Sequence, residues 1–243
     1  MKRFILSFAF LFSLSLSWSQ HRLTFPQMDL ALIHLRKAVI EQETMNHETH
    51  LQDLTDQWGV VANEMLAYDL FEFNMAELVE VQDLTLQSLS EALTRNDSLQ
   101  AMEEIDFFRQ NLMDARTCIG VENYPLDAFW ESYDVYRDVR HTVNDQMLDL
   151  REWFEFDDMV TEMVARWNQY ELIVKKHADS YFPGFDHEKQ MEINTEMEGC
   201  LSHFIESLES GFRPDFILPC DQIGYTMEKA LDIYNHGVQI QLN

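Results

Sequence analysis

Leu51-Gln-Asp-Leu54-Thr-Asp-Gln-Trp58-Gly-Val-Val61-Ala-Asn-Glu-Met65 decides the fold. Its apolar side chains recur at alternating spacings of three and four residues, the pattern of a helix docked along a narrow seam. Leu51, Leu54, Trp58 and Val61 form its densest part and are the candidate interaction seam. The same stripe extends forward to Tyr68 and back through Ile40, Ile33 and Leu30, and Leu86, Leu89 and Leu93 repeat it. Lys37, Thr44 and His47 are the polar positions within it, so the spacing predicts a turn or a wet stretch between Ile40 and Leu51. No proline occurs between Pro26 and Pro125, and only Gly59 and Gly120 are glycine there. A segment so poor in breakers reads as one or two long, coiled-coil-like helices.

Further along, Asp97 with Gln100 marks a helix start, Met102 to Ile119 hold a helical face, and Gly120 closes it. Pro125 and Asp127 begin the next face, through Phe129, Tyr133, Tyr136, Val143, Met147, Leu150 and Phe154. Acidic Glu155 to Asp158 interrupt it, and a break near Asp157 is expected. Tyr181-Phe182-Pro183-Gly184 is an aromatic turn, and Asp186 caps a helix that ends at Gly211. Phe212 to Cys220, with Pro214 and Pro219, reads as an extended connection before a last short helix from Asp221 to Gly237. No segment shows β alternation. The expected architecture is an all-α bundle: one domain over 20–243, divisible into a helical hairpin over 20–120 and a helical part over 121–243.

Residues 1–19 read as a secretory signal peptide. Lys2 and Arg3 precede an apolar run from Phe4 to Leu16, and Ser17-Trp18-Ser19 supplies small residues for cleavage before Gln20. The run is shorter than the ~20 residues a membrane span needs. The expectation is therefore a secreted or periplasmic protein with no membrane association after cleavage. Losing Lys2 and Arg3, and no acid, moves the formal charge from −26 to −28. That charge repels nucleic-acid phosphates and anionic lipid. It favours a basic protein partner, or simply keeps the chain soluble.

An oxidising compartment makes a disulfide the expectation for cysteines that can meet. Cys200 and Cys220 are joined by a loop stiffened with proline and are the expected pair, leaving Cys118 free. Asn96-Asp97-Ser98 is the one glycosylation sequon. Imidazole pairings with metal-ligand spacing occur at Cys200/His203 (with His187 and Cys220 nearby), at Asp138/His141 and at Glu43/His47/His50. None completes a ligand set, and no Glu-x-x-His of a di-metal bundle is present. Hence no metal, cofactor or catalytic residue is assigned. Phosphate-binding, nucleophile-elbow and metalloprotease motifs are missing.

Three functions fit this pattern. The first is a non-enzymatic binding protein whose helical surface engages a protein partner or a second copy. The second is a carrier enclosing an apolar small molecule among the methionines and aromatics between Phe129 and Tyr170. The third is a metal-binding helical-bundle enzyme.

Overall fold

A computed structural model describes residues 24–67, 74–145 and 152–237, leaving the expected signal peptide over 1–19, Tyr68, Met147 and Leu150 outside the described residues. The described residues are all-helical, with no strand among them. Helix α1 covers 24–40, α2 Thr44–Met65, α3 Met75–Thr94 and α4 Ser98–Cys118. Then follow α5 Pro125–Asn144, α6 Glu152–Tyr181, α7 His187–Leu208 and α8 Pro214–Gly237. The chain divides into two compact units, one up to Glu122 and one from Asn123.

In the first unit, local chemistry sets each helix boundary. Asn74 and Asp97 accept hydrogen bonds from the amides of Glu77 and Gln100, satisfying donors that helix starts leave unpaired. Gly120 takes φ +76°, and the Val121 amide reaches back to the Arg116 carbonyl, closing α4 in a left-handed cap. The N-terminal half is not one or two long helices. Gln42 adopts φ +57° and the Glu43 amide bonds the Ala38 carbonyl, so the chain turns over 41–43. The apolar spacing merely continues in step across that turn. Ile40, which the stripe would bury, is about half exposed. The unit's core is formed by Leu35, Leu54, Trp58, Val61, Leu89, Ile105, Phe108 and Leu112, all buried. Each such large apolar side chain contributes ~1.5–3 kcal/mol of transfer free energy. Gln82 ties α3 to α4 by donating to the Phe108 carbonyl at 2.8 Å, and Asn111 donates to Gln82 at 3.2 Å.

In the second unit, α5 packs along α6 and α7 along α8, while α5 also meets α8. Pro125 occupies the first turn of α5, where its missing N–H costs nothing. Gly184 at φ +82° completes the aromatic turn, and Asp186 accepts from the Lys189 amide to start α7. Two sequence expectations fail here. Glu155 to Asp158 lie inside α6, not at a break, because α5 already ends at Asn144. The segment from Pro214 to Cys220 is helical, not extended. Pro214 stands at the helix start, and Pro219 forfeits one bond, to the Asp215 carbonyl, while Phe216, Cys220 and Ile223 bury against the unit. Arg213 just before α8 donates to the carbonyls of Val143 and Asn144 at 2.6 and 2.7 Å, capping the end of α5.

Candidate functional site

The seam residues point inward. Leu54, Trp58 and Val61 are buried in the first unit and Leu51 is partly covered. The Trp58 ring meets Phe108 edge-on at 5.5 Å, and its indole N–H donates to Asp83 at 2.7 Å. These side chains build core, which removes them from any docking surface of the folded unit.

Cys118, Cys200 and Cys220 are all free thiols, so the expected Cys200–Cys220 disulfide is not formed. Cys200 on α7 lies 3.7 Å from the Thr226 hydroxyl of α8. Thr226 is six residues from Cys220, ~9 Å along a helix at 1.5 Å per residue, beyond the reach of an S–S bond. The expected pairing presupposes an extended 212–220 link; coiling 214–220 into α8 carries Cys220 away. Burial pushes the Cys220 thiol up to about 12, with the Asp221 carboxylate adding to the effect and Arg140 opposing it. Such a thiol is inert at neutral pH.

Asn96 of the sequon sits exposed at φ +54° in the α3–α4 turn. It borders a polar cleft of about 560 Å³ with Gln42, His47, Leu93, Asp97 and Ser98.

The histidines separate on geometry. His47 is buried and its Nε2 lies 3.2 Å from the Ala38 carbonyl, to which it donates. His50, one turn on, turns instead to His34 of α1, with ring centres 5.8 Å apart. His187 pairs with Asp179 at 2.9 Å, whereas His203 and His141 are exposed. Among the described residues, no three His, Cys, Asp or Glu side chains converge on a point that could hold a metal.

The aromatic and methionine segment is packed core. Phe129, Tyr136, Phe156, Met163, Trp167 and Tyr170 are buried, and Phe129 meets Trp130 and Tyr170 edge-on at 5.1 and 5.5 Å. A buried polar chain crosses it: Tyr234 donates to Tyr170, Tyr170 to Gln190, and Gln190 to Asn194. Desolvation raises both tyrosine hydroxyls well above their ordinary range.

What sequence reasoning missed is the outer face of α8. Leu218 and Tyr225, seven residues apart and so on one side of the helix, are each 66% exposed, and Phe212 just before it is 60% exposed. Asp215 and Asp221 flank Leu218 one turn away on either side. Asp221 is paired with Arg140 at 3.1 Å, and the Lys229 ammonium lies 4.6 Å above the Tyr225 ring. The signal was present as an apolar heptad pair, but reading Phe212 to Cys220 as extended hid it. No known family, curated protein or solved structure matches the chain.

Proposed function

We propose that this is a secreted, non-enzymatic interaction protein that binds a protein partner through the outer face of α8. The observation that carries this reading is the exposed Leu218–Tyr225 pair on a helix whose inner face is already buried in its own unit. Large apolar side chains held in water by a rigid helix have no folding role there and suit a partner's apolar ridge. The acidic flanks and the formal charge of −28 left once Lys2 and Arg3 are removed from the −26 of the full chain select a basic amphipathic segment, because complementary charge steers encounter and rejects acidic competitors. Secretion rests on the layout of residues 1–19. The carrier reading has no comparable support, since the aromatic segment is filled by its own side chains.

The test uses a lysine- and leucine-rich amphipathic helical peptide as probe, with binding followed by fluorescence anisotropy. Wild-type protein should bind it and Leu218→Asp/Tyr225→Asp should not, while Leu172→Asp, at an exposed apolar site on α6, should bind normally. Equal binding by all three proteins would remove the reading. Sedimentation of the same proteins tells a second copy from a foreign partner, because self-association through this face would be lost in the double variant. N-terminal sequencing of exported material should begin at Gln20; an intact Met1 would overturn the address.

A further inference from the structure

We propose, resting on the reading of α8 as a docking face, that this face binds the outer face of α6 in a second copy of the chain. Leu172 stands in the middle of the solvent side of α6 and is 55% exposed, while Met163, Trp167, Tyr170 and Val174 are buried on the opposite side. Ala165, Asn168, Gln169, Lys175 and Lys176 lie three, four or seven residues from Leu172, so they share its face, and all are exposed. Glu162 and Glu171 border this strip without entering it, which leaves it free of carboxylates in a chain with 43 acidic and 17 basic residues. Lys175 and Lys176 make no ion pair among the described residues. Arg116, Arg140, Arg166 and Lys229, in contrast, are each held by a carboxylate. The strip is therefore the kind of basic amphipathic segment that the α8 face selects.

The two faces match in antiparallel register. Each carries an apolar pair one heptad apart, Leu218 and Tyr225 on α8, Leu172 and Ala165 on α6. Setting Leu218 on Leu172 lays the Tyr225 ring over Ala165, large against small. The same register brings Asp221 and Gln222 to Asn168 and Gln169, and Asp215 to Lys175 and Lys176. Asp221 keeps its bond to Arg140, so Asp215 is the carboxylate that these lysines meet. At the far end Glu228 nears Glu162, with the cations of Lys229 and Arg166 alongside. Parallel register would instead set Asp215 against Glu162 and Lys229 against Lys176, two like-charge contacts. Because the two faces differ, the contact is heterologous. Two acidic copies repel, but that repulsion is screened beyond ~8 Å at physiological salt, so the local match decides. One helix face on another is a small interface, and a reversible, transient association follows.

Sedimentation velocity of the purified chain at ~0.15 M salt, from ~10 to ~300 µM protein, tests this. Wild type should associate. Leu218→Asp/Tyr225→Asp and Lys175→Glu/Lys176→Glu should each weaken association by at least ~10-fold. Mixed in equal amounts, these two variants should form a two-chain species, because each supplies the face that the other lacks. Met191→Asp, at an exposed apolar site on α7, should associate as wild type does. Circular dichroism of each variant shows that it is folded. A monomeric wild type across that range would overturn the proposal, and so would an equal mixture that stays monomeric. Loss in the α8 variant alone would mean that α8 pairs with itself, which overturns it too. If a monomeric wild type still binds the lysine- and leucine-rich peptide, the second copy is ruled out and the α8 face stands; if it binds neither, both fall.

Discussion

Asp29 of α1 and Arg116 of α4, far apart in sequence, meet inside the first unit with the guanidinium Nη1 3.1 and 3.0 Å from the two carboxylate oxygens. Arg116 is fully buried and Asp29 nearly so, and the guanidinium also lies 5.4 Å from the centre of the Phe25 ring. The pair clasps the first helix of the unit to its last. Charges this deep stay in place because each is the other's counter-ion.

Asp29→Ala should therefore destabilise the first unit by ~3–5 kcal/mol, the cost of removing one partner of a buried ion pair. Replacing both partners, as Asp29→Leu/Arg116→Met, should recover most of that loss, because the desolvation penalty disappears along with the attraction. Urea unfolding followed by circular dichroism reads both. A double variant no more stable than Asp29→Ala would show that the surrounding polar groups, rather than the pair, set the cost.

Trp58→Ala should cost ~3–5 kcal/mol, with transfer and cavity terms adding, and should leave sedimentation unchanged because the ring is core. Trp58→Phe keeps the edge-on contact with Phe108 and loses only the hydrogen bond to exposed Asp83, so ~0.5–1.5 kcal/mol is expected. An altered association state in Trp58→Ala, without loss of stability, would return the seam to the surface.

Gly224 is a helical glycine whose replacement should harm. Alanine normally gains up to ~1 kcal/mol over glycine in a helix. Here a Cβ would overlap the Tyr136 hydroxyl and crowd its ring. Tyr136 is buried between α5 and α8, so the overpacking cost of ~1–3 kcal/mol should win. Adding Tyr136→Phe removes the nearest atom and should restore part of the loss. Thermal unfolding of the single and double variants decides it, and a more stable Gly224→Ala would mean that the ring swings aside freely.

Thiol chemistry should rank with burial. At pH 8 an aromatic disulfide reagent should label exposed Cys118 first, Cys200 more slowly and Cys220 only on unfolding. Alkaline pH should destabilise the second unit. The Cys220 thiol rises from its ordinary 9.0 to about 12 in the folded state, so above pH 9 the unfolded chain ionises first. Its contribution is full below pH 9 and fades as pH climbs toward 12, and the raised hydroxyls of Tyr136, Tyr170 and Tyr234 act in the same sense. A pH-independent midpoint between 8 and 11 would contradict the burial argument, and a Cys200–Cys220 peptide in an unreduced digest would contradict the geometry.

The sequence displayed the helix boundaries wherever one residue's own chemistry sets them. Asp97, Asp186, Pro125 and Gly120 each act at the position their side chain or missing side chain favours. It misled where a pattern admits two backbones. The turn expected between Ile40 and Leu51 is there, at 41–43 around the left-handed Gln42, but apolar positions that continue in step on both sides made its two arms read as one long helix. Prolines suggested a loop at 214–219, yet one opens a helix and the other is tolerated near its start. That single misreading hid the α8 face and created the expected disulfide. The His34–His50 juxtaposition was illegible for a different reason: it joins two helices, and no spacing along one helix encodes it.

The pairing of each helix with its neighbour in sequence, α3 with α4, α5 with α6 and α7 with α8, has a kinetic consequence. Most contacts close short stretches of chain, so these hairpins can form on the microsecond-to-millisecond scale typical of low contact order. The steps left for last are the distant closures: α1 to α4 through Asp29 and Arg116, and α5 to α8 through Tyr136 and Gly224. Substitutions within a hairpin, formed before the barrier, should slow refolding, whereas substitutions at those two late junctions should chiefly hasten unfolding. The residues that hold each unit shut are then the ones that set how fast it opens.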